Sequence, residues 1–190
     1  MNSISVGFAL TGSYCTFSKV IPEISNLVGK GYNVIPIMSE NAYKTDTRFG
    51  KACEFREKIE EITGNKIISS IKDAEPIGPK KIIDALIIAP CTGNTLGKLA
   101  WGITDSSVAM SAKSILRNQR PVIIAVSTND GLSGSAKNIG QLLNYRNIYF
   151  VPFGQDDYKG KPRSLVADMS KISDTLKEAL NNMQIQPMLI

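Results

Sequence analysis

Five short apolar runs, each followed by a stretch with helical spacing, constrain what this chain can fold into more than any other feature. Ser3–Leu10 (SISVGFAL), Tyr32–Met38 (YNVIPIM), Asp84–Ala89 (DALIIA), Pro121–Ser127 (PVIIAVS) and Asn147–Phe153 (NIYFVPF) are β-branched and apolar, as strands buried on both faces are. Pro36 removes a ladder donor from the second run and therefore favours an edge or a bulge there. Between the runs, Phe17, Val20, Ile21, Ile24, Leu27 and Val28 recur at three- and four-residue spacing and stop at Gly29–Gly31. Helices are likewise predicted over Thr47–Ile62, Thr95–Ala100, Ser107–Leu116, Ser135–Leu143 and, as one long amphipathic element, Leu165–Leu180. Strands alternating with helices predict an α/β fold, a three-layer doubly wound parallel sheet of Rossmann or flavodoxin-like type. At 190 residues one domain covers the chain.

Composition removes several function classes. Hydrophobic residues make up 43% and charged residues 21%, an ordinary globular balance. No apolar run approaches the roughly 20 residues of a membrane span, and MNSISVGFAL has no basic leader region, so a cytoplasmic location is expected. There is no histidine, which excludes every imidazole-based triad. Cys15, Cys53 and Cys91 are odd in number and share no CxxC spacing, so neither a disulfide framework nor a metal site is expected. The net charge of +5 is scattered among acids without an aromatic-basic motif, so no nucleic-acid partner is read from it.

In doubly wound sheets, ligands bind beyond the carboxyl ends of the strands, so the strand-end turns carry the functional information. They read TGSYCT (Thr11–Thr16), SENAYKT (Ser39–Thr45), PCTGNT (Pro90–Thr95), STNDGLSGS (Ser127–Ser135) and GQDDYKGKPRS (Gly154–Ser164). Four are rich in Ser, Thr, Asn and Gly, the residues that cradle a phosphate at a helix start. Each taken singly is also an ordinary helix cap; four at one sheet edge favour a ligand. GxxxxGK[ST] and GxGxxG are both absent, and the second strand ends in Ser39 with Glu40 one residue late for a ribose diol. A mononucleotide with one phosphate fits better than a dinucleotide.

These turns resemble a known family. In the FMN-binding flavoprotein superfamily, which includes the homo-oligomeric flavin-containing cysteine decarboxylases, the first turn carries Gly-Ser and the second strand ends in Ser or Thr. A PASANT-like turn there precedes AKxAxGxxD. Here the latter two read MSENA and APCTGNTLGKLAWGITDS, and the family's PAMN turn is matched by VSTN at Val126–Asn129. GFALTGSYCTF, ENAYKTDTRFG, IGPKK, RPVIIAVSTNDGL, AKNIGQLLN and NIYFVPFGQDD narrow the resemblance to the small (B) chains of the dipicolinate-forming synthases, from about Val6 to Ala167. The resemblance implies one chain of a two-chain oxidoreductase in a sporulating cell, working with a dehydrogenase-like A subunit on a small dicarboxylate. It places the FMN phosphate on Gly12, Ser13 and Ser39, and the rest of the flavin against Pro90, Thr92, Asn94 and Thr95, with Ser127 and Thr128 nearby. It also implies a homo-oligomer and NADPH brought by the partner chain. The decarboxylases' histidine base is missing here, and their PAMNxxMW segment has become STNDGLS, so cysteine decarboxylation is not carried over.

Chemistry then selects side chains. Forming a pyridine from a dihydropyridine removes two electrons and protons, which calls for an acceptor and a base. Asp130 and Asn129 are the weak catalytic candidates, with Glu40 the other acid near the strand ends; Glu40 and Asp130 read more readily as solvated acids at helix starts. A dicarboxylate calls for cations, of which Arg163, Lys161, Lys159 and Arg48 are candidates. The Gly154–Pro162 loop is polar and long, as a mobile lid or a plain surface loop would be. Trp101 is expected to pack in the core or at an interface. An alternative remains: a non-catalytic substrate- or product-binding or scaffolding partner of the A subunit on the same fold.

Overall fold

The computed structural model describes residues 3–190. Its strands are β1 (Ser5–Leu10), β2 (Asn33–Met38), β3 (Ala85–Cys91), β4 (Val122–Thr128), β5 (Ile148–Phe150), β6 (Phe153–Gly154) and β7 (Leu165–Ala167). Its α-helices are α1 (Phe17–Gly29), α2 (Glu40–Lys44), α3 (Ala52–Thr63), α4 (Ile71–Ala74), α5 (Gly93–Trp101), α6 (Ser107–Arg117), α7 (Ala136–Leu143) and α8 (Ile172–Leu180). Five strands run parallel in the order β2-β1-β3-β4-β5, with β7 and β6 added antiparallel beyond the carboxyl end of β4.

Helices α1 and α8 cover one face, with α3 beside α1, while α5, α6 and α7 cover the other. The central strands β1, β3 and β4 are therefore buried on both sides: Phe8, Leu10, Leu86, Ile87, Ile88 and Ile123 have no exposed surface. That is why these runs read as unbroken apolar sequence rather than as an alternation. Pro36 lies in the edge strand β2, and its carbonyl accepts from Ile68 N–H on the outer side at 3.0 Å. Its missing donor therefore faces away from β1, and the ladder to Phe8 is undisturbed.

Four element boundaries differ from the sequence expectation. Leu165–Leu180 is not one helix: Leu165 and Val166 pair with Thr128 and Ser127 as β7, and only Ile172–Leu180 is α-helical. Asp168 separates the two, its carboxylate accepting from Ser170 N–H at 3.1 Å. The helix expected from Thr47 begins at Ala52, because Thr47 and Gly50 close a tight turn with two reciprocal backbone bonds of 3.1 Å. Gly50 has φ 147, a conformation that side chains resist. Asn147–Phe153 divides at Pro152 into β5, on β4, and β6, on β7. Finally, Pro90 and Cys91 complete β3 rather than opening the turn, after a cis Ala89–Pro90 peptide and a register shift between Ile88 and Cys91.

Candidate functional site

The carboxyl ends of β1 and β4 and the short strand β7 enclose a cavity of about 520 Å³. Gly12, Ser13, Tyr14, Cys15, Thr16 and Lys19 line it from the turn after β1 and the start of α1, and Thr92 from the turn after β3. Ser127, Thr128 and Asn129 line it from the end of β4, and Asp156, Lys161, Ser164 and Val166 from β7 and the loop before it, with Phe49 at the rim. A larger hollow of about 770 Å³ lies where the chain enters β4 and β5, lined by Gln119, Arg146, Asn147 and Asn182, and collects none of the hydroxyl turns.

Three hydroxyls close a triangle in this cavity. Ser13 Oγ lies 2.8 Å from Ser127 Oγ and 3.0 Å from Thr16 Oγ1, and Thr16 Oγ1 lies 3.0 Å from Ser127 Oγ. Thr16 and Ser127 are each only 5% exposed. Ser13 precedes the 3-10 turn Tyr14–Thr16, which runs directly into α1, yet its side chain caps neither amide of that turn. The Tyr14 and Cys15 amides, the first two of the turn, have no internal acceptor by position. Two free amides at a helix start and three converging hydroxyls make a donor set suited to a phosphate.

The other strand-end hydroxyls do something different. Ser39 Oγ accepts from Ala42 N–H at 3.3 Å and caps α2, and Ser39 does not line the cavity. Thr92 Oγ1 accepts from Thr95 N–H at 3.4 Å and caps α5, though Thr92 does reach the cavity. Thr11, which the sequence reading passed over, ties the two turns together: its hydroxyl donates to Pro90 O at 2.6 Å and accepts from Thr92 N–H at 3.1 Å. Of the flavin-contact candidates, Gly12, Ser13, Thr92, Ser127 and Thr128 share the cavity. Ser39, Pro90, Asn94 and Thr95 stand outside its wall; Pro90 is buried in β3, Thr95 is buried and bonded to Thr92, and Asn94 is exposed.

Asp130 also stands behind the wall. Its Oδ1 accepts from Thr128 Oγ1 at 2.5 Å and from Ser135 Oγ at 2.8 Å. The Thr128 hydrogen bond, opposed by partial burial and joined by the Ser135 bond, holds this carboxyl below its ordinary value. A Cβ on Gly93 would meet Ser135 Oγ at 2.6 Å, Thr128 Oγ1 at 2.7 Å and Asp130 Oδ1 at 2.8 Å. Gly93 thus lets the start of α5 press against this cluster, while Asp130 itself ties the end of β4 to Ser135 at the start of α7. Asn129 reaches the cavity and is exposed.

Among the cation candidates, Lys161 lines the cavity, its Nζ 3.6 Å from Asp156 Oδ2. Arg163 and Lys159 are exposed beside it, and Arg48 stacks over the Phe49 ring at 4.9 Å. The Gly154–Pro162 loop closes on itself: Gln155 donates to Pro162 O, Lys161 N–H to Asp157 O, and Gly160 N–H to Asp157 Oδ1. Thr16, Lys19, Phe49, Asp156 and Ser164 were missed from sequence, because no motif announces them and only the fold brings them together. Cys91 is fully buried, and burial pushes its thiol far above the usual range, which leaves it chemically inert. Among the described residues no cluster of three metal-ligating side chains exists, and no helix is long and apolar enough to cross a membrane.

Comparison with known proteins adds a family. The Flavoprotein family matches residues 1–181. The B subunit of dipicolinate synthase from Bacillus subtilis is 48% identical over 185 residues, 97% of this chain and 92% of the relative. The crystal structure of the dipicolinate synthase B subunit from Bacillus halodurans superposes with a TM-score of 0.91 at 46% identity, covering 100% of this chain and 98% of that one. The FMN-dependent cysteine decarboxylase SpaF shares the fold at a TM-score of 0.68 and 22% identity, over 93% of this chain and 97% of its own.

Proposed function

The chain belongs to the Flavoprotein family, and on that premise we propose that it binds FMN and serves as the B subunit of a dipicolinate-forming synthase. The observation that carries this reading is the Ser13–Thr16–Ser127 triangle beside two amides without an internal acceptor, its hydroxyls bonded to one another while Ser13 leaves the helix start uncapped. Ser13, Thr16 and Ser127 hold the phosphate, while Gly12 leaves the approach open, since the nearest atom to a Cβ there is 3.8 Å away. Thr92, Thr128 and Asn129 line the path of the ribityl chain and ring. Bound FMN would supply the two-electron acceptor that aromatisation of a dihydropyridine requires.

This chain's own part is to bind, orient and keep charge balanced. Lys161 and Lys19 line the cavity and give it the positive charge that draws an anionic substrate toward it, and the exposed Arg48 and Arg163 adjoin the lining residues Phe49 and Ser164 in the chain. Burial raises the Asp156 carboxyl, but the Ser164 hydroxyl and Lys161 outweigh it and keep it below its ordinary value, so it stays ionised at neutral pH. The precursor is a dihydro- or hydroxytetrahydrodipicolinate, and the partner is the dehydrogenase-like A subunit of dipicolinate synthase, whose nicotinamide would enter oxidised, take up the two electrons and leave as NADPH. The setting is the mother-cell cytoplasm of a sporulating bacterium. Trp101, 66% exposed rather than packed inward, belongs to the contact surface of a homo-oligomer.

One observation favours the binding or scaffolding alternative: Asp156, the sole carboxylate among the cavity-lining residues, is a weak base, and the chain has no histidine. The visible spectrum of the purified chain separates the two readings. Flavin absorption bands, or saturable binding on titration with FMN, are expected; a colourless protein that FMN does not saturate overturns the flavoprotein reading.

A further inference from the structure

A second cavity of about 300 Å³ opens beside the first and shares Tyr14, Cys15 and Phe49 with it. Its remaining walls are Phe17, Ser18, Ile21 and Pro22 of α1 and Phe55 and Lys58 of α3. Four of its nine lining residues are aromatic: Phe17 and Phe55 meet edge to face at 5.1 Å, Tyr14 and Phe17 lie 5.4 Å apart, and Phe49 is the fourth. Phe49 stands between the two cavities, 46% exposed, on a turn built to hold it there. Thr47 and Gly50 exchange backbone bonds, Phe49 N–H donates to Thr47 Oγ1 at 3.2 Å, and Asp46 Oδ1 anchors the turn to Ala52 N–H at 2.8 Å. Gly50 packs on Phe55 so closely that a Cβ would come within 2.8 Å of the ring.

Size and charge select the occupant. Small-molecule sites span roughly 300–1,000 Å³, so this chamber suits a single ring, while the adjoining 520 Å³ suits a mononucleotide. Lys58 is the sole charged residue of the lining and forms no ion pair among the described residues. We propose that this side chamber seats the planar pyridine dicarboxylate, its ring against Tyr14, Phe49 and Phe55 and one carboxylate on Lys58, directly beside the nucleotide cavity. Aromatic faces and edges favour a flat ring, and the ammonium supplies the counter-charge. The placement rests on the dicarboxylate reading of the function but not on FMN being bound.

Calorimetric titration of the full chain with pyridine-2,6-dicarboxylate and, separately, with FMN tests it. Ser18→Trp fills the chamber from an exposed position, and Lys58→Glu reverses its charge at an exposed side chain that the fold does not need. Both variants are expected to weaken dicarboxylate binding at least tenfold while FMN affinity stays within twofold of the parent. Dicarboxylate binding unchanged in Lys58→Glu, no dicarboxylate binding by the parent, or loss of FMN together with the dicarboxylate each overturns the placement. A parent that binds the dicarboxylate in a Lys58-dependent way but never FMN refutes the flavin and leaves the chamber standing.

Discussion

Ser13 and Ser127, 114 residues apart in the chain, hold their hydroxyl oxygens 2.8 Å from each other across the carboxyl ends of β1 and β4. A serine just before a helix ordinarily turns back to cap it, and Ser13 does not. Ser13→Asp places a carboxylate where the phosphate is proposed to sit. Repulsion at a few ångströms is expected to weaken FMN by about 100-fold or more. Ser39→Asp is expected to change FMN affinity by less than about threefold, because Asp replaces Ser as a cap and Ser39 lies off the cavity wall. Fluorescence titration of both variants checks the pair; equal damage from each would move the phosphate toward α2.

Two glycines, Gly12 just after β1 and Gly93 at the start of α5, should respond unequally to an added methyl. Gly93→Ala forces a methyl into Ser135, Thr128 and Asp130, and overpacking of that kind costs about 1–3 kcal/mol. Gly12→Ala meets nothing closer than 3.8 Å and should leave the melting temperature unchanged. Thermal melts of the two variants against the parent decide this, and a Gly93→Ala protein as stable as the parent would contradict the packing at the α5 start.

Asp130 should prove structural. Its folded pKa is lowered, so its contribution is complete above the unfolded value of about 3.9 and is lost as pH falls through the folded value. Asp130→Asn keeps an acceptor but removes the charge, and is expected to cost about 1–2 kcal/mol at pH 7. That difference should shrink toward zero below about pH 4. Urea unfolding at pH 7 and pH 3 measures it; a constant difference would remove the charge-assisted bonds to Thr128 and Ser135 from the account.

Thiol chemistry reports on the same cavity. Cys15 is exposed and lines both chambers, Cys53 is half-buried, and Cys91 is fully buried. Native protein is expected to show one fast-reacting thiol, Cys15, with Cys91 reacting only after denaturation. Saturating FMN should slow Cys15 labelling, read by mass spectrometry; protection of Cys53 instead would place the ligand elsewhere.

The long helix expected over Leu165–Leu180 shows where local reading fails. Leu165 and Val166 have the spacing of a helix face, but β4 presents Thr128 and Ser127 with unpaired backbone, and pairing there wins. Phe49 likewise stands at helical spacing before Cys53, and Gly50 with its φ of 147 breaks the period. Pro36, by contrast, pointed to an edge strand from its chemistry alone, and it occupies one.

Five apolar runs determined an α/β sheet, and the hydroxyl-rich turns after them pointed to its carboxyl edge as the candidate site, because burial on both faces and helix-start donors are written in local composition. Only the tertiary structure decided which hydroxyls cap their own helices and which meet hydroxyls from another strand end. Ser13, Ser39 and Thr92 look alike in sequence. Ser39 and Thr92 spend their oxygens on their own helices, whereas Ser13 meets Thr16 and Ser127, because strand order sets β1 and β4 on either side of β3 and leaves the space between their ends open. Neighbours across a sheet are fixed by pairing and packing over the whole chain, and no stretch of ten residues contains that information.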